Sequence, residues 1–124
     1  MENNNLNQIY TLGIWTVMPG KEKEFISVWT AFANWTSQNM AGSAQGFLLQ
    51  DEKNSFRFIS FGPWKNENSV EKWRDSNEFK KFVEKAKELC EDWQPNTLKL
   101  VSASNAGLLQ KEPLKPHIEH SSIL

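Results

Sequence analysis

A chain of 124 residues has the length of one domain, and its 14 basic and 15 acidic side chains leave a net charge of −1, with no cationic excess to draw it to nucleic acid. Only 39% of the residues are apolar, yet six Trp and eight Phe supply large side chains enough for a core. Cys90 is the only cysteine, which excludes an intramolecular disulfide and fits a reducing compartment. The first seven residues are polar and lack the charged and apolar regions of a signal peptide. No apolar run approaches the roughly 20 residues that a membrane helix needs. The expectation is a soluble cytoplasmic protein with no membrane partner.

Residues 1–7 read as a disordered lead-in. Residues 8–18 form a first strand, with Tyr10, Leu12, Ile14 and Met18 on one face and Thr11, Trp15 and Val17 on the other. Neither face is plainly polar, so both are expected to be covered. Gly13 within this strand marks a bulge or a close approach to the backbone. Pro19-Gly20 turns the chain into a helix from Lys21 to about Asn39. Glu22 and Glu24 stand in its first turn, where the helix dipole favours negative charge. Phe25, Val28, Trp29, Phe32 and Thr36 recur at helical spacing as a core-facing stripe, with Trp35 at its edge.

After a loop with two glycines, 47–51 reads as a short strand and 52–55 as the turn of a hairpin. Residues 56–61 are the partner strand, with Phe56, Phe58, Ile59 and Phe61 crowding both faces, and Gly62-Pro63 ends it before Trp64. Asn68-Ser-Val-Glu71 has capping-box spacing and starts a second helix. That helix breaks near Asp75-Ser76-Asn77, where Asp75 and Glu78 restart it. Phe79, Phe82, Val83, Ala86, Leu89, Cys90 and Trp93 keep its period until Pro95-Asn96 stops it. Residues 97–103 form a fourth strand, and 104–124 are a tail or an arm laid on a partner subunit.

The order β-α-β-β-α-β over 8–103 is the split βαβ, ferredoxin-like pattern: an α+β fold with one antiparallel four-stranded sheet and two helices on one face. The other sheet face would be bare and apolar, which marks an association surface. Pairing of two sheets gives a homodimer with a barrel-like interior, a dimeric α+β barrel.

The ordered series Met18-Pro-Gly-Lys-Glu-Lys-Glu-Phe25, Trp29, Gly46-Phe-Leu-Leu-Gln-Asp51, Arg57-Phe-Ile-Ser-Phe-Gly-Pro-Trp64 and Trp73-Arg-Asp-Ser-Asn-Glu-Phe79 resembles the antibiotic biosynthesis monooxygenase domain. The resemblance runs from about residue 8 to 103. It implies a homodimer with a pocket in each subunit between helices and sheet. It also implies a cofactor-independent monooxygenase that oxidises a small aromatic quinol or phenol with molecular oxygen, or else a non-catalytic dimer that binds a small aromatic or lipophilic molecule. A haem-degrading branch resembles the chain at Trp73. It places an Asn at the position of Gly13 and a His ligand at that of Val83, and both departures count against haem.

Oxygen chemistry without a cofactor needs a substrate anion shielded from water. Trp15, Trp29, Phe32, Trp64 and Trp73 are candidate walls for such a site, the alternative for each being plain core filling. Arg57, in the third strand, and Arg74, after the Trp of the second helix, are candidates to hold an anionic substrate oxygen; a surface or interface role is the alternative. Neither histidine, His117 nor His120, lies inside the domain to act as general base. His117-Ile-Glu-His120 lacks the ordered scaffold of a metal site, so no metal and no cofactor are expected.

Overall fold

The computed structural model describes residues 6–104. The lead-in and the tail, with His117 and His120, fall almost wholly outside the described residues. The elements run β1 (Ile9–Val17), α1 (Glu22–Asn39), β2 (Phe47–Gln50), β3 (Arg57–Trp64), α2 (Glu67–Asp75), α3 (Asn77–Leu89) and β4 (Cys90–Lys99). The strands pair in the order β2-β3-β1-β4, and every neighbouring pair is antiparallel. This is the ferredoxin-like arrangement expected from the element order, with the second helix of the pattern broken into α2 and α3.

The break falls at Ser76, whose backbone is extended at φ −71° and ψ 152°. Its hydroxyl accepts from the Phe79 N–H at 3.1 Å, so Ser76, not Asp75, is the cap that restarts the helix. The start of α2 also differs from the expected box at Asn68. Asn66 is the cap, its side-chain oxygen accepting from the Ser69 N–H at 2.8 Å. Both Asn66 and Asn68 are chemically able to cap. The loop leaving Trp64 decides between them, because Lys65 N–H is already tied to the Gly42 carbonyl at 2.8 Å.

Two proline positions correct the strand boundaries. β3 does not stop at Gly62-Pro63 but continues to Trp64, paired with β1 through Ile9 opposite Trp64. On its other side β2 has ended at Phe47, opposite Phe61, and only an isolated bridge between Ser43 and Trp64 follows, so the missing N–H of Pro63 interrupts no continuous ladder there. Likewise Pro95 does not stop a helix. α3 ends at Leu89, and β4 begins at once with Cys90 and runs through Pro95. β4 pairs only with β1, and an edge strand tolerates proline. Cys90 and Trp93 are therefore strand residues; their helical spacing from Ala86 and Leu89 was coincidental.

Alternation along the strands sorts their side chains. Trp15 and Val17 of β1, Phe58 and Trp64 of β3 and Cys90 of β4 are buried under the helices, where they meet Phe25 and Phe32 of α1 and Phe82, Ala86 and Leu89 of α3. Phe25 and Phe58 are 0% and 1% exposed, with ring centroids 5.4 Å apart. Burial of such a ring contributes roughly 1.5–3 kcal/mol. The register shift between β1 and β4 lies at Thr16/Val17, so Gly13 is not a bulge. The opposite sheet face carries Tyr10, Leu12, Ile14, Ile59 and Phe61, with Phe47 and Leu49 at 40% and 54% exposure on β2 and Leu98 at 44% on β4.

Burial pushes the Cys90 thiol up to about 11. An unfolded thiol ionises from its ordinary value near 9, whereas the folded one holds its proton, so this group's contribution to stability is lost as pH rises from about 9 to 11. A thiol reagent at pH 8 is expected to label native protein slowly and unfolded protein at once. Fast labelling of native protein would contradict the burial.

Candidate functional site

The helices do not seal completely onto the sheet. Between α1, α2 and the central strands β1 and β3 lies a cavity of about 90 Å3. Trp15, Trp29, Phe32, Trp64, Trp73 and Arg74 all line it. Of the candidate residues, Arg57 alone stands elsewhere. It belongs to the sheet face turned away from the helices and pairs with Asp51 at 3.3 Å, both side chains partly exposed.

The aromatic walls are assembled by stacking. Phe32 lies parallel to Phe82 at 4.4 Å and 7°, and also stacks with Trp73 at 5.8 Å. Trp73 in turn meets Trp64 at 4.8 Å and Phe79 edge-on at 4.8 Å. Trp15 stacks on Trp93 at 5.0 Å and 10° across the β1–β4 pair, where the two are in register. Offset or edge contacts of this kind are worth about 0.5–1.5 kcal/mol beyond burial.

Each buried indole also presents an N–H that must be satisfied. Trp15 donates to the Ser60 hydroxyl at 3.0 Å, Trp64 to Thr11 at 3.1 Å and Trp73 to Thr36 at 3.0 Å. Thr36 is itself only 7% exposed, and no buried side-chain polar atom among the described residues lacks a partner. The three hydroxyls line the cavity and, having accepted from an indole, each keeps a hydrogen to donate. Trp93 also lines the cavity; its indole N–H makes no hydrogen bond among the described residues and, as no buried side-chain polar atom there is left unpaired, it is open to solvent.

Gly13 makes room for this cluster. A Cβ there would stand 3.0 Å from Ser60 Oγ, 3.0 Å from Trp15 Nε1 and 3.2 Å from Trp93 Nε1. The close approach expected of this glycine is thus that of two indoles and a hydroxyl. No side chain such as Asn fits at position 13 without displacing them. Val83 carries no donor atom and is partly buried against the core. Neither position therefore carries the Asn or the His ligand that the resemblance implies for the haem-degrading branch.

Sequence reasoning did not single out Ser60, Thr11, Trp93 or Phe79 as site residues. Alternation could have found two of them: Ser60 lies four residues before Trp64 on one strand face, and Thr11 four before Trp15 on another. Trp93 was hidden by its assignment to a helix. Among the described residues, no Asp, Glu, His, Lys, Cys or Tyr lines the cavity, and Arg74 is the one charged residue that does. Burial lowers the Arg74 pKa from its usual value, although a guanidinium stays protonated throughout the working range.

Comparison with known proteins follows the fold. The sequence profile described as "Antibiotic biosynthesis monooxygenase" matches residues 9–85. Among solved structures, a conserved protein from Methanosarcina mazei Go1 is similar at 19% identity and a TM-score of 0.73, over 81% of this chain and 99% of that one. SnoaB, a cofactor-independent oxygenase from Streptomyces nogalater, is similar at 14% identity and a TM-score of 0.72, over 78% and 96%. At such identities the structural likeness is one of fold. No curated protein sequence matches the chain significantly.

Replacing Thr36 by Val keeps the shape and strands the Trp73 N–H. Urea unfolding of Thr36→Val is expected to show a loss of about 1–3 kcal/mol. A loss below a few tenths would mean that this indole finds another acceptor. Gly13→Asn is expected to cost more, since three neighbours must shift.

Proposed function

The chain belongs to the antibiotic biosynthesis monooxygenase family, and from that premise we propose that it takes a small electron-rich aromatic molecule, a quinol or phenol, as the substrate of a cofactor-independent oxygenation. The observation that supports this reading most is the cavity: flat aromatic walls, three hydroxyls set by indoles, and no carboxylate to repel an anion. Its size favours a single ring. An engineered apolar cavity of roughly 150 Å3 holds benzene, so 90 Å3 admits one ring only if an edge stays in the mouth, and a fused tricycle needs the walls to move.

In the proposed reaction the substrate supplies all the electrons. A hydroquinone ring C–H gives way to C–O, one oxygen atom of O2 enters the ring, and the other leaves as water; hydroquinone plus O2 thereby balances hydroxyquinone plus water. The protein's part is to bind the anionic form of the ring out of water and to hold its charged oxygen by hydrogen bonds. Ser60 O–H and the Trp93 N–H are the donors on the sheet side. Among the described residues the cavity lining offers no imidazole or carboxylate as a general base. Deprotonation is therefore left to solvent before the ring is enclosed.

That same lack of a base favours a second reading, in which the cavity sequesters an aromatic molecule without turning it over. In both readings the protein is a homodimer, held by the open sheet face of Tyr10, Leu12, Ile14, Phe47, Leu49, Ile59, Phe61 and Leu98. An apolar face of this breadth is stable in water only when covered. A cytoplasmic setting suits a lone buried thiol.

Oxygen uptake with single-ring hydroquinones tests the two readings. For an enzyme, log kcat/KM is expected to rise with pH at unit slope up to the substrate's own pKa, with no inflection from the protein between pH 5 and 8. A bell-shaped profile centred near neutrality would reject solvent deprotonation. Tight binding with uptake no faster than the buffer blank would establish the sequestering role. Sedimentation at micromolar concentration is expected to give twice the chain mass, and Leu49→Glu to shift it toward the monomer; a monomeric wild-type protein would remove the sheet-to-sheet dimer.

A further inference from the structure

The cavity has an unequal neighbour. A wider groove of about 250 Å3 opens beside it, lined by Arg74, Phe79, Trp93, Pro95, Asn96 and Thr97. Four of these, Arg74, Phe79, Trp93 and Pro95, also line the cavity, so the two spaces meet along a shared wall. A bare ring would leave the groove empty.

Arg74 stands at the junction. It lies in the last turn of α2, is partly buried, and makes neither an ion pair nor a hydrogen bond among the described residues. Burial is the cause of its lowered pKa, and no carboxylate among the described residues answers it. Among the described residues no Asp or Glu lines the cavity or the groove, so an incoming anion would meet attraction from Arg74 with no repulsion from these walls. Thr97, in register with Thr11 and so on the helix-facing side of β4, adds a hydroxyl at the groove. A half-desolvated guanidinium with no partner is unfavourable as it stands, and planar bidentate recognition of a carboxylate is what it does best.

We propose that the natural ligand is an aromatic acid: its ring occupies the tryptophan-lined cavity while a short side chain runs through the groove and presents a carboxylate to Arg74. This rests on the single-ring reading of the cavity and narrows it. It makes Arg74 a specificity-determining residue, which selects among rings by the charge they carry at one end.

Paired probes test it, para-hydroxyphenylacetate and its neutral amide, titrated into the full-length protein at low salt and followed by tryptophan fluorescence. Wild-type protein is expected to bind the acid at least about tenfold more tightly than the amide, the scale of one charge-assisted hydrogen bond. The preference is expected to shrink as salt is added. In Arg74→Gln the two affinities converge, the acid losing far more than the amide. In Arg74→Lys, which keeps the charge but not the fork, part of the preference survives; this variant also covers the case in which Arg74→Gln folds poorly. Equal affinity for acid and amide in the wild type overturns the carboxylate assignment and leaves the ring reading standing. A preference undiminished in Arg74→Gln overturns the role of Arg74. Binding of neither probe up to millimolar concentration overturns the ring reading, and this inference with it. A guanidinium that served only the helix C-terminus would alter melting temperature and leave the acid-to-amide ratio where it was.

Discussion

A tryptophan cannot be buried for its ring alone. Its N–H must find an oxygen once water has gone, or the burial is offset by an unmade hydrogen bond. The space between the helices and the sheet takes in Trp15, Trp64 and Trp73, and each is answered by a hydroxyl from a different element: Ser60 of β3, Thr11 of β1 and Thr36 of α1. These pairs tie α1 to α2 and add side-chain hydrogen bonds to the ladder that already joins β1 to β3. They hold the three indoles in orientation around the cavity that these rings line.

The same constraint shapes what the cavity can do. Three of its hydroxyls, those of Ser60, Thr11 and Thr36, already accept from an indole and keep a hydrogen to donate. Donors in an aromatic lining with no carboxylate among the described residues suit a ligand oxygen bearing negative charge. Gly13 is part of this arrangement, because only a residue without Cβ lets Trp15, Trp93 and Ser60 converge at one point on β1. Arg74 completes it from the other side with a full charge and no partner among the described residues. The sheet's far face has a different character, with exposed aliphatic and aromatic side chains and Arg57 held by Asp51 at its border. The two faces thus differ in kind, one closed over by helices around a cavity, the other apolar and exposed.

Periodicity made much of this legible in advance. The stripe Phe25, Val28, Trp29, Phe32 and Thr36 defines one helix face whatever lies opposite, and the alternation Thr11, Trp15, Val17 defines one strand face. The element order then leaves few ways to arrange one sheet and its helices. Five of the aromatic walls could be named from these patterns and from the ordered motif series. The boundaries were less accessible. Pro95 reads as a helix stop in a linear pattern because the pattern cannot show that β4 is an edge strand, where proline is harmless. Trp93 continues the helical period from Leu89 by coincidence, and what decides against the helix is its partner, Trp15, on a strand more than seventy positions away.

What the sequence determined by itself was therefore local and periodic: which residues turn inward along each helix and strand, the order of those elements, and the family to which the motif series belongs. What only the tertiary structure decided was which inward groups meet. Arg57 and Arg74 look alike in the chain, yet one faces the outer side of the sheet beside Asp51 and the other the mouth of the cavity. Ser60 is unremarkable, and the close approach that Gly13 marks has no named partner, until β1 and β3 are laid in register and the two become direct neighbours. The reason is physical: hydrogen bonds of indoles and the placement of an unpaired charge depend on contacts between residues far apart in the chain, and no period along the chain encodes them.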